Sequence, residues 1–259
     1  MVQYAFTSKT FGDLFGMPHV DLTQSWGTER RYLIAHDHLM QFHRPIYEAI
    51  YRHHSTLSRV VIEELTGLGY SQTAREIEIL RSGLPVNATT QSSNFVEVLG
   101  AEYARWLLGF DSTQVFPKHL NPNIDQSMKG PDIVGVRTGG LEPALLFGEA
   151  KWRRGYEAAA LTDAHKALHR LITSDAARTL YLWRNVSRQA RQVQTIDQVL
   201  SVDVKRTALI VCVTGNTPAQ QFEAFAELCT RKPIPHLILV HIEIPGMIQT
   251  DFEHFFVSS

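Results

Sequence analysis

The sequence predicts an α/β fold: a mixed central sheet flanked by helices, with a helical N-terminal part. Three observations carry that reading. Apolar runs of strand length recur at residues 132–137, 144–152, 207–213 and 236–244. The segments before and between them repeat apolar residues at helical spacing. The final third alternates strand, helix and strand, which suits a right-handed parallel crossover.

The elements are justified in order. Residues 1–30 show little periodicity, with Gly12, Gly16, Pro18 and Gly27 as breakers, and are expected to be irregular. Residues 30–55 read as helix through Tyr32, Leu33, Leu39, Phe42, Ile46 and Ile50, and Pro45 should kink or divide it. Helices are expected near 56–67 and 72–82, then a loop over 83–93. Residues 94–108 form the next helix, stopped by Gly109. A strand is expected near 114–119, then a hairpin at 132–137 and 144–152. Residues 157–173 are helical, with more helix across 176–200. A strand over 207–213, a helix over 218–230 capped by Thr217 with Pro218 at its first position, and a strand over 236–244 complete the chain. The division expected is 1–93, a mostly helical region, and 94–259, the core.

Composition excludes several classes. The chain has 259 residues, 44% of them hydrophobic, enough for a sizeable core. No apolar run is long enough to span a membrane, and the N-terminus lacks a signal-peptide apolar region. Cys212 lies in an apolar strand and Cys229 in a helix, so both read as buried free thiols of a cytoplasmic protein. Net charge is −1, but residues 103–206 carry 15 Lys and Arg against 10 Asp and Glu. Residues 151–191 carry nine basic residues against three acidic ones. That basic stretch suits a phosphate backbone, or a solvated helix face.

The chemistry concentrates in Gly130-Pro131-Asp132 and Phe147-Gly148-Glu149-Ala150-Lys151. Alternation along a strand puts Glu149 and Lys151 on one face. A hairpin through Thr138-Gly139-Gly140 brings Asp132 towards that face. Two carboxylates so close repel unless a cation lies between them, and such oxygen ligands suit Mg²⁺ or Mn²⁺. The upstream helix offers a third acid. Glu97 sits among Phe95, Val96, Val98 and Leu99, whereas Glu102 lies five residues on, about 140° around the helix. Glu97 is preferred, and Glu102 stays open.

This combination of Asp132, Glu149 and Lys151 resembles the PD-(D/E)xK nuclease superfamily. The resemblance implies a restriction-endonuclease-like core. It also implies that Asp132, Glu149 and the Ala150 carbonyl hold Mg²⁺ (or Mn²⁺), with Glu97 completing the shell directly or through water. Lys151 would position or deprotonate the attacking water and stabilise developing charge. Lys118, Lys129, Arg153, Arg154, Lys166 and Arg170 are the expected nucleic-acid contacts.

Size and layout further resemble the HamA-like nuclease subunit of Hachiman antiphage defence. That likeness implies DNA as substrate and a helicase partner docking on the N-terminal helices. Two alternatives remain: a stand-alone restriction-type endonuclease acting as a homo-oligomer, and a catalytically inactive nucleic-acid-binding module of the same fold. The other constellations carry less. His36, His38, His43, His53 and His54 cluster in the N-terminal helices, and His165 and His169 lie four apart, but solvated or core histidines are the plainer reading. Thr214-Gly215-Asn216-Thr217-Pro218 lacks a phosphate-loop signature and reads as a helix cap.

Overall fold

The computed structural model describes residues 10–54, 84–110, 112–115, 130–137, 143–155, 157–175, 204–216 and 222–257. A seven-stranded mixed sheet organises them. Its strands are β1 (Val20–Gln24), β2 (Gly27–Leu33), β3 (Ser112–Val115), β4 (Ile133–Arg137), β5 (Ala144–Arg153), β6 (Lys205–Thr214) and β7 (Leu237–Glu243). Their order across the sheet is β1-β2-β7-β6-β5-β4-β3. Neighbours β2–β7, β7–β6 and β6–β5 pair parallel, while β1–β2, β5–β4 and β4–β3 pair antiparallel. The expected α/β class is therefore observed, and β6 and β7 form the parallel pair that the tail pattern implied.

The described helices are α1 (His36–Met40), α2 (His43–His54), α3 (Ala88–Leu107), α4 (Ala158–Arg170) and α5 (Phe222–Arg231). A short π-helical turn, Leu171–Asp175, extends α4. Each sheet face has its own apolar core. On one face α3 and the C-terminal 3-10 helix Gln249–Phe256 pack Phe95, Leu99, Phe252 and Phe255 against Ile133, Leu146, Ala150 and Val211. On the other, α4 and α5 pack Leu161, Ala164, Leu168 and Phe225 against Val134, Phe147, Ile210 and Leu239. Period-two alternation along β4, β5 and β6 supplies both cores from the same strands.

Several expectations are corrected. Residues 20–24 and 27–33 are strands rather than irregular chain, and β2 joins the sheet beside β7. Hydrogen bonding thus crosses the boundary expected at residue 93. The helix expected over 30–55 begins only at His36 and breaks at Gln41-Phe42. Pro45 falls in the first turn of α2, where its missing N–H costs nothing. Helix α3 starts at Ala88, inside the expected loop, because the Asn87 side chain accepts from the Thr89 amide at 2.8 Å and so caps it. The helices expected at 56–67, 72–82 and 176–200, the Thr217-Pro218 cap, and most of the strand expected at 114–119 lie outside the described residues.

Candidate active site

Asp132, Glu149 and Lys151 meet at the edge where the parallel strands β5, β6 and β7 end. Gly130 leads into the site with φ 148°, a conformation that suits only glycine. The buried Pro131 then feeds Asp132 into β4. Ile133 pairs with Gly148, so the next step outward sets Asp132 beside Glu149. Asp132 Oδ2 accepts the Ala150 N–H at 2.8 Å. The Lys151 ammonium bridges the acids, with Nζ 2.8 Å from Glu149 Oε2 and 3.3 Å from Asp132 Oδ2. The three charged groups anticipated from the sequence are therefore gathered in one place. By alternation, Glu149 and Lys151 share the face of Phe147, the one that α4 covers.

The acids are crowded and poorly solvated. Glu149 is only 7% exposed. Burial, and then the neighbouring Asp132 charge, push the Glu149 carboxyl well above the usual carboxylate range, against the opposing pull of Lys151. Burial alone would lower the Lys151 ammonium, but the Asp132 and Glu149 charges outweigh it and hold the group protonated, above its ordinary value. One ammonium does not fully compensate two carboxylates in so dry a place.

The two helix acids separate clearly. Glu102 is 1% exposed and lies among Arg52, His53 and Arg105. Its Oε1 lies 3.0 Å from both Arg52 Nη1 and His53 Nε2, and its Oε2 accepts the Trp106 indole N–H at 3.0 Å. Burial would raise this carboxyl, but His53, Arg52 and Arg105 overcome that and hold it at about 2. Glu102 is a structural clamp between α2 and α3.

Glu97 is half-buried on α3. Arg137 donates to the Leu108 carbonyl near the C-terminal end of α3, and a Cβ on Gly100 would stand 2.6 Å from Ile133 Cδ1. The helix therefore runs from Arg137 at its C-terminal end towards the Asp132 edge at its N-terminal end. Glu97 lies one turn beyond Gly100 in that direction, about 4.5 Å along the axis. This brings it towards the edge where Asp132 lies, over the sheet face opposite Glu149. Among the described residues, no three His, Cys, Asp or Glu side chains gather closely enough to share a metal. Glu97 therefore sits on the helix that packs the face opposite Glu149, and its expected place in an ion's shell, directly or through water, belongs to the proposal below.

The expected basic contacts divide. Lys118 and Lys129 lie outside the described residues. Arg153 is tied to Glu157 at 2.8 Å, and Arg154 is exposed at the end of β5. Lys166 lies 3.8 Å from Asp163, and Arg170 is exposed on α4. The N-terminal histidines serve separate contacts: His43 bonds the His254 carbonyl and His53 bonds Glu102. His165 and His169 stack at 6.3 Å, and desolvation lowers the His165 pKa, favouring its neutral form. Cys212 and Cys229 are free and buried, and burial raises both thiols to about 12. No helix among the described residues is long and apolar enough to cross a membrane.

Sequence reasoning missed the Glu102 clamp, whose partners stand 49 and 50 positions away. It also missed Gly100. The small-residue run Gly100-Ala101 was its local signal, since a glycine inside an apolar helix often marks close packing.

Comparison with known proteins supplies the family. The model of the HamA family matches residues 32–247. The Hachiman protein HamA of Bacillus cereus is 34% identical over 89 residues, covering 34% of this chain and 31% of that protein. The aligned part thus spans about a third of that relative's length. Asp132, Glu149, Lys151 and Glu97 all fall inside the range matched by the family model, and with most of its length so matched the chain belongs to the HamA family.

Proposed function

We propose that the chain is a metal-dependent nuclease of PD-(D/E)xK type that hydrolyses phosphodiester bonds of DNA, in antiphage defence and with a helicase partner. The convergence of Asp132, Glu149 and Lys151 at one sheet edge carries this reading. Family membership and the Hachiman relative support the defence role.

The donor set fits a hard divalent cation. Asp132 and Glu149 offer carboxylate oxygens towards one point, and the raised Glu149 carboxyl marks a place short of positive charge. Asp132, Glu149 and the Ala150 carbonyl would hold Mg²⁺ or Mn²⁺, with Glu97 acting through water. The ion would supply Lewis-acid polarisation of the phosphate and acidify water. The Ala150 amide fixes the Asp132 carboxylate and keeps it from turning away. Lys151, held protonated, stabilises charge on the phosphate and orients the attacking water. The exposed Arg154, Lys166 and Arg170 bind the backbone by charge. The helicase would dock on the N-terminal helices α1 and α2, in a cytoplasmic setting that the two buried thiols suit.

The test is DNA cleavage by the purified chain, alone and with the helicase, in Mg²⁺, Mn²⁺ or EDTA. Cleavage that needs the ion and is lost in Asp132→Ala, Glu149→Ala and Lys151→Ala supports the reading. Full activity in all three variants overturns it. Robust cleavage by the single chain selects the restriction-type homo-oligomer over the helicase complex.

A further inference from the structure

A groove of about 570 Å³ opens at the end of β5, one residue beyond Lys151 but on the opposite, α3-covered face of the sheet, so that it meets the candidate active site only around the sheet edge. Trp152 lines it and rests edge-on against Phe252, ring centres 4.8 Å apart. Its walls come from two separate elements. The first turns of α3 contribute Thr89 and Ser93, and the C-terminal 3-10 helix contributes Gln249 and Thr250. Gln249 Nε2 donates to Thr89 Oγ1 at 2.8 Å, tying those walls together. The groove is therefore a built feature and not a gap between loose loops.

Its chemistry points one way. Among the described residues no carboxylate lines it, whereas Arg153 and Arg154 do. Arg153 is committed to Glu157 and to the Trp152 carbonyl. Arg154 makes no ion pair among the described residues, yet its root is rigid. Its carbonyl accepts the Gly215 N–H at 3.2 Å. A Cβ on Gly215 would stand 2.5 Å from the Met247 carbonyl oxygen, so only glycine permits this close seating. A cation fixed at its base, a partly exposed indole and a row of hydroxyl and amide groups are the parts that bind one nucleic-acid strand: charge for phosphate, an aromatic face for a base. The volume matches a small-ligand cleft, and a duplex is too wide to enter it.

We infer that this groove takes a single-stranded segment of polynucleotide adjoining the bond cleaved beside Lys151, with Arg154 on a phosphate and Trp152 against a base. This rests on the nuclease reading above. It adds that the strand is unpaired where it crosses the sheet edge, so the site acts on single strands or on opened duplex.

Binding of a labelled oligothymidylate to the full chain, followed by fluorescence anisotropy with Ca²⁺ in place of Mg²⁺, tests it. Two variants are compared with wild type: Arg154→Ala, and Ser93→Trp, which fills the groove from an exposed position on α3. Each should weaken single-strand binding about tenfold, with urea unfolding midpoints and Mn²⁺ binding unchanged. Wild type should prefer the single strand over a duplex of equal length. Wild-type affinity in both variants, or a preference for duplex, overturns the groove while leaving metal-dependent cleavage standing. Absence of Mn²⁺ binding by wild type removes the nuclease reading and this inference with it.

Discussion

The Ala150 amide donates to Asp132 Oδ2 at 2.8 Å, so one carboxylate of the site is fastened to the strand that bears the other. The Asp132 carboxylate is therefore held against the strand that carries Glu149. Asp132→Asn retains an acceptor for that amide but loses the charge. Its unfolding midpoint should stay close to wild type, while divalent-ion affinity falls at least tenfold. Calorimetric titration with Mn²⁺, alongside urea unfolding, measures both.

Glu149 should make the ion-free protein less stable as pH rises. Its folded-state carboxyl is raised, by burial first and by Asp132 second. A raised carboxyl contributes stability below its unfolded value of about 4.3 and loses it as pH climbs through the folded value. Glu149→Gln removes that loss. The variant should exceed wild type by on the order of 1–3 kcal/mol at pH 9, with the gap closing towards pH 5. Added Mg²⁺ should stabilise wild type and leave the variant unmoved. Thermal melts across pH, with and without the ion, read this out.

Glu102 should behave in the opposite sense. Its carboxyl is lowered to about 2, so its contribution is present above pH 4.5 and fades as pH falls towards 2. Glu102→Gln should cost roughly 2–4 kcal/mol at pH 7 by leaving Arg52 and His53 without their anion. It should leave ion binding intact. Glu97→Gln should do the reverse, preserving stability and weakening ion-dependent cleavage. Paired stability and cleavage measurements separate the two acids.

Gly100 sets how closely α3 approaches the sheet. A side chain there meets Ile133 Cδ1 at 2.6 Å and Val211 Cγ2 at 3.0 Å. Gly100→Val should cost about 1–3 kcal/mol and lift the helix that carries Glu97. Urea midpoints report the first effect, and a fall in cleavage larger than the loss of folded protein reports the second.

The site was legible because its parts are close in sequence. Glu149 and Lys151 are two residues apart on one strand, and a single hairpin brings Asp132 to them. The sheet core was legible for the same reason, through the apolar runs of β4 to β7. The strands β1 and β2 were not. Val20–Gln24 is mostly exposed, and Gly27–Leu33 carries Glu29, Arg30 and Arg31. Only β2 pairs with β7, more than 200 residues away, and β1 is held as its hairpin partner at the sheet edge, so local pattern cannot register what fixes the pair. The Glu102 clamp was hidden likewise, since Arg52 and His53 belong to another helix. Glu97 could be preferred from its apolar neighbours, but alternation in β5 and the packing of α3 decide which sheet face each acid occupies, and only the fold shows that these differ.

Mn²⁺ binding followed by electron paramagnetic resonance tests the central claim most directly, because it needs neither substrate nor partner. Wild type should remove free Mn²⁺ signal with one ion per chain, and Asp132→Asn with Glu149→Gln together should abolish that uptake. Equal uptake by wild type and the double variant would contradict a metal centre at these two acids.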